Sequence, residues 1–235
     1  MLIDVLLLPG LLCNERLWVA QTKALAGLAH SSTLDLNSYK SIAAMADAIL
    51  DKAPEQFALA GFSMGGCVAL EIIARAPERV CRLALLSTNA GGLLPPVRQH
   101  LQNSIASIEA GGFDAYLVDA FPNYVAHERV QDHALWDTFA GMAKSLGPAV
   151  AVRQMLALLE YPGFKYDLGQ ISCTTAIICG REDQRTPVSV HKKLAEEIPA
   201  AKLSIIEHAG HFTPLEQPLA VTDALRDWLM KPTLD

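Results

Sequence analysis

The 235-residue chain has no run of basic residues and no surplus of positive charge: 25 Asp and Glu outweigh 19 Lys and Arg, leaving a net −6. Non-specific binding to nucleic acid needs clustered Lys and Arg to release counterions, so DNA and RNA are excluded as partners. An even cysteine framework is also missing. The five cysteines, at 13, 67, 81, 173 and 179, include no pair at zinc-knuckle spacing. Each lies in or beside an apolar run, where a free thiol behaves as a small hydrophobe, and this usage suits a reducing compartment. No segment reaches the eighteen or more apolar residues of a membrane span. The apolar start, Met1 to Cys13, lacks the basic n-region of a signal peptide, carries Asp4 and breaks at Pro9-Gly10. A lipoprotein reading of Leu11-Leu12-Cys13 fails for want of a small residue before the cysteine. The expectation is a cytoplasmic protein with no membrane partner, whose fold begins at residue 2. No His/Asp/Glu cluster has metal-ligand spacing and no glycine-rich phosphate loop occurs, so neither metal nor cofactor is expected.

What is present is a chain 51% apolar and 19% charged, long enough for one large core and too short for two ordinary enzyme domains. Short apolar runs alternate with longer helical patterns. The expected strands are residues 2–8, 33–36, 57–60, 80–87, 174–179 and 202–206. Most are uninterrupted apolar runs, the signature of parallel strands buried on both faces. Between them, Asn14 caps a helix to Leu28 and Ser41 caps one to about Lys52. Residues 64–76 form a helix ended by Pro77, Pro187 opens one that stops before Pro199, and a last helix spans about 218–230. This alternation predicts an α/β fold with a doubly wound, mostly parallel six-stranded sheet.

Residues 93–165 break the rhythm with helical patterns and no convincing strand. Gly91-Gly92 and Pro95-Pro96 mark the way in, and Tyr161-Pro162-Gly163 marks the way out. Eight of the chain's fifteen aromatic residues lie here. An inserted helical cap is the natural reading, with an extra helical layer remote from any site as the alternative.

The strongest local signal is Gly61-Phe62-Ser63-Met64-Gly65-Gly66, between a strand and a helix. A serine in so sharp a turn has strained backbone angles. Glycines two residues to either side relieve the crowding and leave its hydroxyl exposed at the strand's C-terminal end. The helix that follows directs N–H groups and its positive end toward a developing oxyanion.

A serine hydroxyl becomes a useful nucleophile when a base takes its proton. His211, after the last strand in Glu207-His208-Ala209-Gly210-His211-Phe212, is the candidate base, because Gly210 frees the chain to turn the next side chain over the sheet. His208 is its nearest rival, expected at the sheet edge or in solvent. Asp183, in Gly180-Arg181-Glu182-Asp183 after the fifth strand, is the candidate orienting carboxylate, with Glu182 as alternative. Histidines 30, 100, 127, 133 and 191 lie in helical or loop patterns and are expected to be solvated.

In the order Ser63, Asp183, His211, each on a loop after a strand, the chain resembles the α/β-hydrolase superfamily. The likeness covers essentially the whole chain and is nearest to small, lidded, single-domain esterases and enol-lactone hydrolases. It implies a core of residues 1–92 and 166–235 and a cap of residues 93–165; where the family often begins with an antiparallel hairpin, this chain departs from it and opens directly on what resembles the third family strand. It also implies a sheet order of 2-1-3-4-5-6, with a crevice where the order reverses between strands 1 and 3. Leu8-Pro9-Gly10-Leu11-Leu12 stands at the family's oxyanion loop, with Pro9 where histidine is common. The resemblance gives the backbone N–H groups of Leu11 and Met64 as oxyanion donors.

The function so implied is serine-dependent hydrolysis of a small, partly apolar carboxylic ester or lactone. Carbon–carbon bond hydrolysis of vinylogous diketones and cofactor-free perhydrolysis use a similar serine turn and remain alternatives. A ligand-binding protein that lost catalysis is disfavoured, because all three positions are filled. Leu12, Trp136, Phe139 and Phe212 are the candidate pocket residues. Trp136 and Phe139, three apart on one helical face, either roof the pocket or pack the cap on the core. Arg153 and Gln154 are candidates to meet a substrate carboxylate, although a solvated helix face is the commoner role.

Overall fold

The structure is a computed structural model and describes residues 2–199 and 201–231. Six strands, β1 (Ile3–Leu8), β2 (Ala29–Thr33), β3 (Phe57–Phe62), β4 (Val80–Leu86), β5 (Thr174–Gly180) and β6 (Ala201–Ile206), form one sheet. Its order is β2-β1-β3-β4-β5-β6 and every neighbouring pair is parallel. The order reverses beside β1, whose neighbours are β2 on one side and β3 on the other.

Alternation along the strands sets the two faces. Val5 and Leu7 of β1 pack with α1 (Val19–Leu25) and α10 (Pro218–Met230). Leu6 and Leu8 pack with α2 (Ile42–Leu50), α3 (Met64–Arg75) and α8 (Val188–Glu197). All residues of β3 and β5 are buried, and each large apolar side chain so placed contributes roughly 1.5–3 kcal/mol. Ser41 caps α2 as expected, its hydroxyl accepting the Ala44 N–H at 3.1 Å.

The second strand corrects the sequence reading. It occupies Ala29–Thr33 rather than residues 33–36, and of its five residues only Ala29 is buried. As an edge strand with one neighbour it needs no apolar run, so its polar sequence concealed it. Leu34 extends the pairing by donating its N–H to the Leu7 carbonyl, and Leu36 turns into the core under α2. The first helix is correspondingly shorter: a 3₁₀ turn over Glu15–Trp18, capped by Asn14, precedes α1, which ends at Leu25 and not Leu28.

Between β4 and β5 the chain forms α4 (Pro95–Glu109), α5 (Phe113–Ala120), α6 (His133–Leu146) and α7 (Pro148–Glu160). The two ends of this excursion meet, with Gly91 bridging Gly163 and the Phe164 N–H donating to the Ala90 carbonyl at 2.7 Å. The short α9 (Thr213–Glu216) follows the last strand. Among the described residues, no helix is long and apolar enough to cross a membrane.

Candidate active site

Ser63 sits between β3 and α3 with φ +52° and ψ −115°, a conformation that costs a non-glycine residue energy and must be held by its surroundings. Its N–H donates to the Leu86 carbonyl (2.9 Å), and its own carbonyl accepts the Gly66 N–H (2.9 Å) and the Thr88 hydroxyl (2.8 Å). The flanking glycines allow close approach: a Cβ on Gly61 would overlap the Gly65 carbonyl, and one on Gly65 the Leu8 carbonyl.

Three side chains lie in series. His211 Nε2 is 2.9 Å from Ser63 Oγ, and His211 Nδ1 is 2.9 Å from Asp183 Oδ2. Asp183 also accepts the N–H groups of Arg185 and Thr186 and the Thr186 hydroxyl, at 2.8–2.9 Å. Burial works against ionisation of Asp183, but His211 beside it and the Thr186 donors outweigh burial and hold the carboxyl at about 2. An ionised Asp183 can only accept, so His211 Nδ1 is the donor in that contact and Nε2 is the ring nitrogen that faces Ser63. The two rivals point elsewhere. His208 is exposed and meets Glu128, while Glu182 accepts the His127 N–H.

Gly210 serves differently from the sequence expectation. It has no left-handed φ; a Cβ there would collide with the Val125–Ala126 backbone. Beneath the same loop, the Glu216 carboxylate accepts the Gly210 N–H (3.0 Å) and the Ala126 N–H (2.7 Å). Burial pushes this acid up to about 7 despite those donors.

The loop after β1 passes close to the elbow: a Cβ on Gly10 would overlap the Phe62 ring at 2.8 Å and lie 3.2 Å from Ser63 Cβ. Neither Leu11 N–H nor Met64 N–H has a hydrogen-bond acceptor among the described residues. Leu12 has φ +56° and donates its N–H to Gln154 Oε1 at 2.9 Å. Gln154 is therefore not on a solvated face: it is fully buried, and its amide also donates to Asn37 Oδ1. Arg153 turns away to the Asn37 carbonyl.

A cavity of about 410 Å³ opens on Ser63 and His211. Its walls come from the loop after β4 (Thr88, Asn89), from α4 (Val97, His100), from Leu158 and Tyr161, and from the Asp183 loop (Arg185). The four expected pocket residues lie outside it. Leu12 is buried in the apolar core, and Phe139 and Phe212 join Phe121 and Tyr124 in an aromatic cluster with ring centroids 5.0–5.9 Å apart. Trp136 packs on Phe121 at the outer edge of that cluster. Aromatic clustering favours such mutual contact, which removed these rings from the cavity.

His191, expected in solvent, is buried instead. Its Nε2 accepts the Thr88 N–H at 3.1 Å and its Nδ1 faces the Pro187 carbonyl at 3.3 Å. It braces Thr88, which in turn holds the Ser63 carbonyl. The missed signal was spacing: His191 shares a helical face with buried Leu194, and Gln154 shares one with Ala151 and Met155. Among the described residues, no group of three His, Cys, Asp or Glu side chains could hold a metal ion.

The arrangement can pass the Ser63 hydroxyl proton to His211 across a 2.9 Å contact. Proteins of this shape are known. An esterase from Thermogutta terrifontis superposes with a TM-score of 0.85 at 24% identity, covering 97% of this chain and 89% of that one. The enol-lactonase from Burkholderia xenovorans LB400 does so with a TM-score of 0.87 at 19% identity, covering 98% and 92%. In sequence, pimeloyl-(acyl-carrier protein) methyl ester esterase from Nitrosomonas europaea is 24% identical over 94% of this chain and 95% of its own length. The alpha/beta hydrolase family model matches residues 5–224, and the chain belongs to that family.

Proposed function

We propose that the protein is a serine hydrolase of small carboxylic esters or lactones. The observation that carries this reading is the series Ser63 Oγ, His211 Nε2, His211 Nδ1, Asp183 Oδ2, opening on a cavity. Ser63 Oγ bonds to the ester carbonyl carbon as its proton passes to His211 Nε2. Asp183 holds the ring and stabilises the imidazolium, and the amides of Leu11 and Met64 receive the oxyanion. Collapse of the tetrahedral intermediate breaks the ester C–O bond, and His211 returns the proton to the leaving alkoxide. Water then attacks the acyl-enzyme and gives its proton to His211, which returns it to Ser63 Oγ as the acyl C–O bond breaks and the acid leaves.

The helices of residues 93–165 act as the cap, supplying the cavity walls from α4 and α7. The five cysteines are unpaired, which fits a cytoplasmic enzyme. A panel of 4-nitrophenyl esters of graded acyl length, run beside lactones and a vinylogous diketone, tests the reading. Esters or lactones should turn over, and Ser63→Ala should abolish it. Turnover of the diketone alone would reassign the enzyme to carbon–carbon bond hydrolysis.

A further inference from the structure

The residues lining the cavity at Ser63 include no Asp, Glu or Lys, although the chain as a whole carries a net charge of −6. The one guanidinium on its wall is Arg185. Arg75, Arg129, Arg181 and Arg226 place their guanidinium groups on carboxylates, and Arg79, Arg82, Arg98 and Arg153 on backbone carbonyls. The Arg185 guanidinium, like that of Arg16 outside the cavity, has neither kind of partner among the described residues. It lies 4.4 Å above the ring of Tyr124, and that ring packs 5.5 Å from His211. Its backbone N–H is fixed on Asp183 Oδ1. The cation is thus anchored at both ends beside the reacting groups, with an aromatic face covering one side of its plane. Stacking leaves the N–H groups along its edge free, in the fork that matches a carboxylate. The Asn123 amide and the His100 imidazole supply further polar groups on the same cavity.

We infer that Arg185 forms a carboxylate subsite, so that the preferred substrates are half-esters of dicarboxylic acids, anionic at the end remote from the scissile bond. The inference rests on Ser63 being the nucleophile. Arg185 binds the free carboxylate through paired charge-assisted hydrogen bonds and holds the ester carbonyl over Ser63 Oγ. No acidic side chain on the wall opposes the anion.

The test compares 4-nitrophenyl hydrogen glutarate and adipate with 4-nitrophenyl esters of neutral acids of matched length. The readout is the ratio of kcat/KM, anionic over neutral, in the parent, Arg185→Gln, Arg185→Lys and Ser63→Ala. A charged hydrogen-bonded contact of this kind implies a ratio of roughly ten to a hundred in the parent. The ratio should fall at least tenfold in Arg185→Gln and partly recover in Arg185→Lys. An unchanged ratio in Arg185→Gln, or a collapse in His100→Gln alone, overturns the subsite. Loss of both activities in Ser63→Ala keeps the nucleophile assignment whichever way the ratio goes, and persistence of both in Ser63→Ala removes that assignment instead. Competitive inhibition by glutarate, weaker in Arg185→Gln than in the parent, provides a reading independent of turnover.

Discussion

Gln154 and Leu12, 142 residues apart in the chain, meet through one buried hydrogen bond from the Leu12 N–H to Gln154 Oε1. The bond ties α7 to the loop that carries the Leu11 amide. It also fills the amide next to the proposed oxyanion donor, leaving the Leu11 N–H as the free one.

Gln154→Met should therefore act through the loop and not through substrate contact. It leaves the buried Leu12 N–H without an acceptor, a cost of roughly 1–3 kcal/mol in stability. Removing an oxyanion donor outright costs 10²–10³ in rate, and a displaced donor should cost less, roughly tenfold in kcat. Steady-state kinetics should show kcat falling with KM nearly unchanged. A loss confined to KM would place Gln154 in substrate binding.

Ser63→Ala and His211→Ala should each reduce kcat by roughly three orders of magnitude or more, and the double variant little further, because groups that act as a unit are not additive. His208→Ala should stay within a few-fold of the parent, since that ring is 71% exposed and faces Glu128. Reversed behaviour of the two histidine variants would move the base to His208.

The pH dependence of stability should separate two buried groups of opposite sign. Burial holds His191 below the usual histidine range, so its contribution is complete above the unfolded value, about 6.5, and is lost as pH falls. Burial raises Glu216 from 4.5 to about 7; the folded state then binds the extra proton, and stability rises as pH falls from 7 toward 4.5, by about 3 kcal/mol in all. In chemical denaturation, His191→Gln should gain stability more steeply than the parent from pH 7.5 to 5. Glu216→Gln should lose stability over the same interval. Parallel profiles for both variants would contradict these assignments.

Phe139 and Leu158 distinguish packing from specificity. Phe139 is 2% exposed within the aromatic cluster, so Phe139→Ala should cost roughly 3–5 kcal/mol of stability and leave the order of ester preference unchanged. Leu158 lines the cavity. Leu158→Ala should shift the ratio of kcat/KM between long and short acyl chains by roughly 1–3 kcal/mol. A changed preference in Phe139→Ala would return that ring to the pocket.

Central strands were legible because burial on both faces writes an unbroken apolar run, as in β3 and β5. The edge strand β2 was not, since Ala29–Thr33 answers to one neighbour and to solvent. Ser63, Asp183 and His211 could be singled out because each follows a strand at the same end of the sheet, where a parallel topology gathers its loops; the structure brings them within hydrogen-bonding distance. The cavity wall was illegible for a related reason. Arg185, His100 and Tyr161 come from three separate elements whose meeting is tertiary, while the conspicuous aromatics, Trp136 and Phe139, found one another. Gln154 and His191 were misjudged residue by residue, although their spacing along α7 and α8 pointed inward.

The central claim is that Ser63 is the nucleophile activated by His211, and reaction with a fluorophosphonate followed by peptide mapping tests it most directly. The expected result is a single adduct on Ser63, absent in Ser63→Ala and formed at least a hundredfold more slowly in His211→Ala. An adduct on Ser87, which also lines the cavity, or undiminished labelling of Ser63→Ala, would contradict it.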